Sequence, residues 1–237
     1  MSPMPGTASD IARTVASGAI TARAVATAAL ERIAAHDGRI GAFTDVTAER
    51  ALAEADAIDR ARAEGRPLGP LAGVPYAVKN LFDIAGLRTL AGSAINQEDP
   101  PATADAALVA RMARAGAVLL GGLNMGEYAY DFTGENAHYG PSRNPRDTAR
   151  MSGGSSGGSG AAVAAGFAPL ALGSDTNGSI RVPSALCGIF GLKPTYGRLP
   201  RTGTFPFCDS LDHLGPLARS VEDLARCYDA LQGPDPG

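Results

Sequence analysis

The chain has 237 residues, 45% of them hydrophobic, and its 21 Lys and Arg against 24 Asp and Glu leave a net charge of −3. That is enough apolar material for one sizeable core, and without a basic block it argues against a nucleic-acid surface or a polybasic membrane anchor. No apolar run approaches the ~20 residues of a membrane span, and MSPMPGTASD at the N-terminus lacks the apolar stretch of a signal peptide, so a cytoplasmic protein is expected. Cys187, Cys208 and Cys227 are far apart and none sits in a CxxC, which reads as reduced packing cysteines. His36, His138 and His213 have no metal-binding spacing, so no metal is expected.

The first 65 residues are rich in Ala and helical in pattern. Thr7 followed by Asp10 resembles a capping box, and Thr21 and Thr47 are placed as N-caps of further helices. The helix from about Thr21 sets Val25, Ala29 and Ile33 on one face, a stripe that packs. EGRPLGPLAGVP breaks the helical pattern. YAVKNLFDI then reads as a short buried strand with Lys79 at or near its end, TADAALVARMARAG as a capped helix and AVLLGGLN as a strand, an α/β alternation. The stretch GENAHYGPSRNPRDTARMSGGSSGGS is long and irregular. Beyond it, GAAVAAGFA suits a small-residue helix, PLALGSD a buried strand and GSIRVPSALCG a turn entering a helix. RSVEDLARCYDALQG is a last amphipathic helix with Ser220 as its N-cap. No internal repeat is present.

GGSSGGSGAAVAAG has the composition of a flexible linker. A linker should have polar flanks and separate independently packed segments, whereas this run leads directly into the apolar AAVAAGFAPLAL. Backbone that comes close to something reactive fits better, since Gly and Ser entering a helix present free N–H groups and small hydroxyls at the positive end of its dipole. A phosphate loop lacks its GxxxxGK[ST]. A nucleophile elbow centred on Ser156 would need a preceding strand, where RNPRDTARM is polar, and a late His, for which there is only the Asp212-His213 pair. The third reading pairs the loop with GSDTNGSIRVPSALCG, where the turn before Ser179 can converge N–H groups on one oxygen. A serine nucleophile needs a base. Lys79, the one lysine before Lys193, is either that base, with its charge disfavoured by burial, or a paired structural cation.

With those residues in view the chain resembles the amidase signature family. GGSSGGSGAAVAAG, GSDTNGSIRVPSALCGIFGLKPTYGRLPRTG, GVPYAVKN and GGLNMGEYAYDFTGENAHYGPSRNP carry the likeness over essentially the whole chain, with Ser155 and Ser179 24 positions apart. The resemblance implies one α/β domain over residues 1–237, a central mixed sheet flanked by helices, with a helical segment to about 65 and a catalytic core over about 66–237. It implies a Ser–cis-Ser–Lys triad in which Ser179 matches the nucleophile, Ser155 the bridging serine after a cis peptide and Lys79 the base. The oxyanion donors it implies are the N–H groups of Thr176, Asn177, Gly178 and Ser179. Ser156 and Thr176 match supporting positions, and Asp175 and Arg181 a pair that braces the nucleophile turn. The implied reaction is amide hydrolysis through an acyl-enzyme, with no metal or organic cofactor, on a small polar or ureido-type substrate such as 1-carboxybiuret. A glutaminase component of a tRNA-dependent amidotransferase, releasing ammonia from glutamine, and an inactive fragment are the alternatives. The implied partners are further copies, in an oligomer of the full-length form, together with a small accessory subunit; direct nucleic-acid or membrane binding is not implied.

Four features depart from the family pattern. Asn177 stands where most members have Gly, a turn position that Asn tolerates. Gly126 sits where an Asp is usual, and DFTGEN, opening with Asp131, replaces a more typical GFTTEN; both changes are expected to alter the substrate-side pocket. Family members are also much longer, and the chain stops at LQGPDPG, just after the triad region, so the second half of the fold is expected to be missing.

Overall fold

The computed structural model of the chain describes residues 6–237; residues 1–5, half of the MSPMPGTASD stretch, lie outside them. In chain order the elements begin with α1 (Ala8–Ala16), α2 (Ala22–His36), β1 (Phe43–Val46), α3 (Ala48–Ala63), β2 (Pro75–Lys79), α4 (Ala107–Arg114) and β3 (Val118–Leu123). They continue with α5 (Gly157–Ala164), β4 (Leu170–Asp175), α6 (Arg181–Cys187), β5 (Phe190–Gly191), β6 (His213–Ala218) and α7 (Val221–Leu231). The fold is mixed α/β.

The strands form one mixed sheet in the order β1-β3-β2-β4-β6-β5. β2 lies parallel to both β3 and β4, while β1 and β6 add on antiparallel. β2, β3 and β4 are buried along their whole length, as near-continuous apolar runs in parallel strands must be. Because β2 and β4 run side by side, with Tyr76 opposite Leu170 and Val78 opposite Leu172, their C-terminal ends emerge together. Lys79 ends one and Ser174 and Asp175 end the other, at the edge where open α/β sheets bind ligands.

Thr7, Thr21 and Ser220 cap their helices as the sequence predicts, each hydroxyl accepting from the N–H three residues on at 3.0, 3.0 and 3.1 Å. Val25, Ala29 and Ile33 are buried. Thr47 does not cap α3: its hydroxyl donates to Leu119 O at 3.0 Å, tying the helix to β3 instead. Nor is α4 capped by a side chain: its N-cap position is Ala106, which carries no acceptor, and the preceding Asp105 pairs bidentately with Arg50 at 2.8 and 2.7 Å. The segment read as wholly helical contributes β1 to the sheet edge. The small-residue helix starts earlier than expected, so that Gly157, Gly158 and Ser159 of the Gly/Ser run form the first turn of α5. The N-terminus of α1 is fastened to α7 by buried Asp223, whose carboxylate accepts from Ala8 N and Ser9 N at 2.9 Å each.

Candidate active site

Lys79 is fully buried, and its Nζ donates to Ser155 Oγ at 2.6 Å and Ser174 Oγ at 2.9 Å. Among the described residues no carboxylate lies within ion-pair distance of it. Burial lowers its pKa to about 7; the charges of Asp131, Asp175 and Asp212 oppose the drop without cancelling it. The paired-cation reading is therefore not what the fold builds. The lysine is held by two hydroxyls, and burial disfavours its charged form.

Ser155 follows a cis Gly154–Ser155 peptide bond. The loop is fixed on both sides: Gly154 N donates to Phe132 O at 2.9 Å, Gly126 N to Ser155 O at 3.1 Å, and Ser156 N to Ser179 O at 3.2 Å. The glycines have a steric cause at the point of closest approach. A Cβ on Gly158 would lie 2.5 Å from both Ala42 O and Asn124 O, so the first turn of α5 can press on the loops beside it only as glycine. Ser156 does not face a histidine. Its hydroxyl bonds Ser174 O at 3.2 Å and receives Ser174 N at 3.3 Å, which pins the end of β4 beneath Lys79. His213 Nδ1 instead meets Leu211 O at 2.6 Å, which removes the elbow reading.

The turn carrying Ser179 is built on Asp175. Its Oδ1 accepts from Gly178 N at 2.7 Å and Arg181 Nη2 at 2.9 Å, and its Oδ2 from Arg181 Nε at 2.9 Å and Ile180 N at 3.2 Å. Burial would raise this carboxyl, but the Arg181 guanidinium and the backbone donors outweigh it and hold it below the usual carboxylate range. Two expectations change here. The Gly178 N–H is already spent on Asp175, whereas Thr176, Asn177 and Ser179 N–H have no acceptor among the described residues. Thr176 supports Asp212 rather than the serines, its hydroxyl donating to Asp212 Oδ1 at 2.5 Å. Ser179 is only 4% exposed, yet it faces a cavity of about 370 Å³ walled by Tyr130, Phe132, Asn177 and Phe207. Lys79, Ser155, Ser156, Asp175, Thr176, Asn177, Gly178, Ser179 and Arg181 thus gather at one end of the sheet.

Three residues near Lys79 escaped the sequence reading: Ser174, Asp131 and Asp212. Ser174 carries a usable signal, being the one hydroxyl in the apolar run before Asp175. Asp131 shows in the sequence only as a departure from the family pattern, with nothing to link it to the lysine, and Asp212 lies in an irregular stretch without a signal. Among the described residues no group of three or more His, Cys, Asp or Glu side chains is placed to hold a metal ion, and no helix is long and apolar enough to cross a membrane.

A doubled serine loop, a buried lysine and a sheet of this order define a class, and the comparison with known families agrees. The family model described as Amidase matches residues 24–237, and the chain belongs to that family. It is 68% identical over 227 residues, 96% of this chain, to AtzE, the 1-carboxybiuret hydrolase subunit of Pseudomonas sp. (strain ADP). It is 50% identical over 217 residues, 92% of this chain, to the GatA-type component of the glutamyl-tRNA(Gln) amidotransferase of Moorella thermoacetica. Among solved structures, that of native peptide amidase from Stenotrophomonas maltophilia superposes with a TM-score of 0.93 at 39% identity, over 99% of this chain and 50% of the other. A protein complex described as revealing the origins of an s-triazine catabolic enzyme superposes at 0.97 with 67% identity, over 98% and 50%. The chain spans about half the length of these relatives, 50% of the carboxybiuret hydrolase and 44% of the amidotransferase component.

Proposed function

We propose that this chain carries the catalytic centre of an amidohydrolase that cleaves a C–N amide bond through an acyl-enzyme on Ser179. Lys79 is the general base and Ser155 the relay: the Ser179 proton passes to Ser155 as the Ser155 proton passes to Nζ, while Ser179 Oγ attacks the carbonyl carbon. The same path returns a proton to the leaving nitrogen, and water then releases the acid. Thr176, Asn177 and Ser179 N–H, which lack acceptors among the described residues, serve the oxyanion. Asp175 and Arg181 hold the turn in shape, and Ser156 holds β4 under the lysine. The observation that carries this reading is Lys79 Nζ, fully buried, with no carboxylate at ion-pair distance among the described residues and 2.6 Å from Ser155 Oγ.

The substrate proposed is small, polar and ureido-like, of the 1-carboxybiuret type, on the strength of the 68% identity to the hydrolase. That relative and the amidotransferase relatives are named as subunits, so a small accessory protein is the expected partner. Glutamine is the competing substrate, favoured by identities of 44–50% to the amidotransferase relatives. Parallel assays on 1-carboxybiuret and on glutamine separate the two. The nucleophile is tested by intact mass after reaction with a fluorophosphonate probe. Wild type is expected to gain one adduct and Ser179→Ala none; equal labelling of both sinks the assignment.

A further inference from the structure

The proposed mechanism leaves one nearby carboxylate without a task, Asp131. It heads a turn in which its Oδ1 accepts from Thr133 Oγ1 at 2.6 Å, from Gly134 N at 3.0 Å and from Thr133 N. This turn is clamped to the serine loop, because Gly154 N donates to Phe132 O at 2.9 Å and Gly153 N to Thr133 O at 3.1 Å. Oδ1 is therefore saturated, whereas Oδ2 is shielded from solvent and has no hydrogen-bond partner. A buried polar atom in that condition calls for an explanation.

Oδ2 points into a gap between two glycines. A Cβ at Gly126 would collide with it outright, and one at Gly154 would lie 2.7 Å away. Neither position can carry a side chain while Asp131 keeps this place. The two departures from the family pattern meet here: 126 has lost the usual Asp, and 131 has gained an Asp where Gly is typical. Five positions apart in sequence, they are one spot in the fold, and a single carboxylate reaches it from 131.

The charged groups facing Lys79 are Asp131, Asp175 with its partner Arg181, and Asp212. Asp175 is neutralised by Arg181. Asp212 is occupied by Thr176 Oγ1, Phe207 N and Cys208 N. Asp131 Oδ2 lies against Gly154, the residue before the serine that receives Lys79 Nζ, and of the three carboxylates it is the one with an oxygen to spare.

We propose that Asp131 is a positioning residue, the counter-charge that stabilises the ammonium Lys79 becomes when the Ser179 proton reaches it through Ser155, and that Gly126 is glycine so that this carboxylate fits. The inference rests on the Lys79–Ser155–Ser179 reading for its role in turnover. Its test does not, because Lys79 and Lys193 are the only lysines and lysine-selective NMR follows the Lys79 titration directly. Removing the negative charge destabilises the ammonium, so Asp131→Asn is expected to lower the Lys79 midpoint by about one unit. Gly126→Ala, which forces the carboxylate aside, shifts it the same way, and it stands in for Asp131→Asn if that variant does not fold. The exchange Gly126→Asp with Asp131→Gly brings the midpoint back. An unchanged midpoint in both single variants overturns the proposal. A midpoint that moves while Ser179 still fails to label upholds the counter-charge and sinks the nucleophile reading instead.

Discussion

Lys79 and Asp175 end adjacent parallel strands, both fully buried, and the fold treats them in opposite ways. Asp175 is given a guanidinium and backbone donors on both oxygens, so its charge is satisfied and its carboxyl held low. Lys79 is given two hydroxyls and its charged form is disfavoured. A buried charge that is fully paired shapes a turn, and one left short of partners exchanges protons. The two ends of one sheet edge thus divide structure from chemistry.

Replacing the lysine gives the largest expected effect. Lys79→Met should lose at least about a thousandfold in turnover, the scale of a general base. It should not lose stability. The folded state holds this lysine at about 7 against an ordinary 10.5, so the unfolded chain binds more protons between those values. Stability therefore rises with pH from about 7 to about 10.5, and at neutral pH the buried lysine costs the fold on the order of 4 kcal/mol. Lys79→Met, after the loss of two hydroxyl contacts, should gain on the order of 2 kcal/mol near pH 7 and lose that pH-dependent rise. Denaturant unfolding at pH 7 and pH 10 checks it; a destabilised variant would make the lysine structural after all.

Asp175→Ala should reverse the pattern. It orphans Gly178 N, Ile180 N and part of the Arg181 fork, so a loss of about 3 kcal/mol is expected, with activity falling because the Ser179 turn loosens. Activity lost without any change in unfolding midpoint would move Asp175 from the brace to the reaction.

How far the sequence reveals this contrast depends on the range of the interaction. Asp175 and Arg181 are six positions apart on one turn, and Ser155, Ser156 and Ser179 lie in two motifs whose composition has no bland use; all were legible. The strand that delivers Lys79 was legible too, from its apolar run. Ser174 as a partner of Lys79 was not, because it follows from the parallel register of β2 and β4, 95 positions apart at the contact. Asp131 was visible only as an oddity, since its meeting with Gly126 requires a turn folded over the serine loop. β6 hides behind Gly215 and Pro216, residues that mark turns in most contexts. Thr47 had every local mark of an N-cap, yet the Leu119 carbonyl across the sheet captured its hydroxyl.

Ser174 offers the finest division between the two treatments, since it belongs to the strand of Asp175 and touches the lysine. Its hydroxyl is the second of the two that receive Lys79 Nζ, while its backbone is held by Ser156. Ser174→Ala leaves that backbone grip intact and removes one acceptor from the ammonium. One hydrogen bond to a charged group is worth roughly 1.5 kcal/mol, so a loss of about tenfold in turnover is expected. The Lys79 midpoint should fall further below about 7, because the charged form has lost a partner, and the acid limb of the activity profile should move to lower pH with it. Ser156→Ala should do the converse, lowering the unfolding midpoint through β4 while leaving the acid limb in place. If the two variants gave the same pH profile, the hydroxyl of Ser174 would belong to the scaffold, and Lys79 would depend on Ser155 alone.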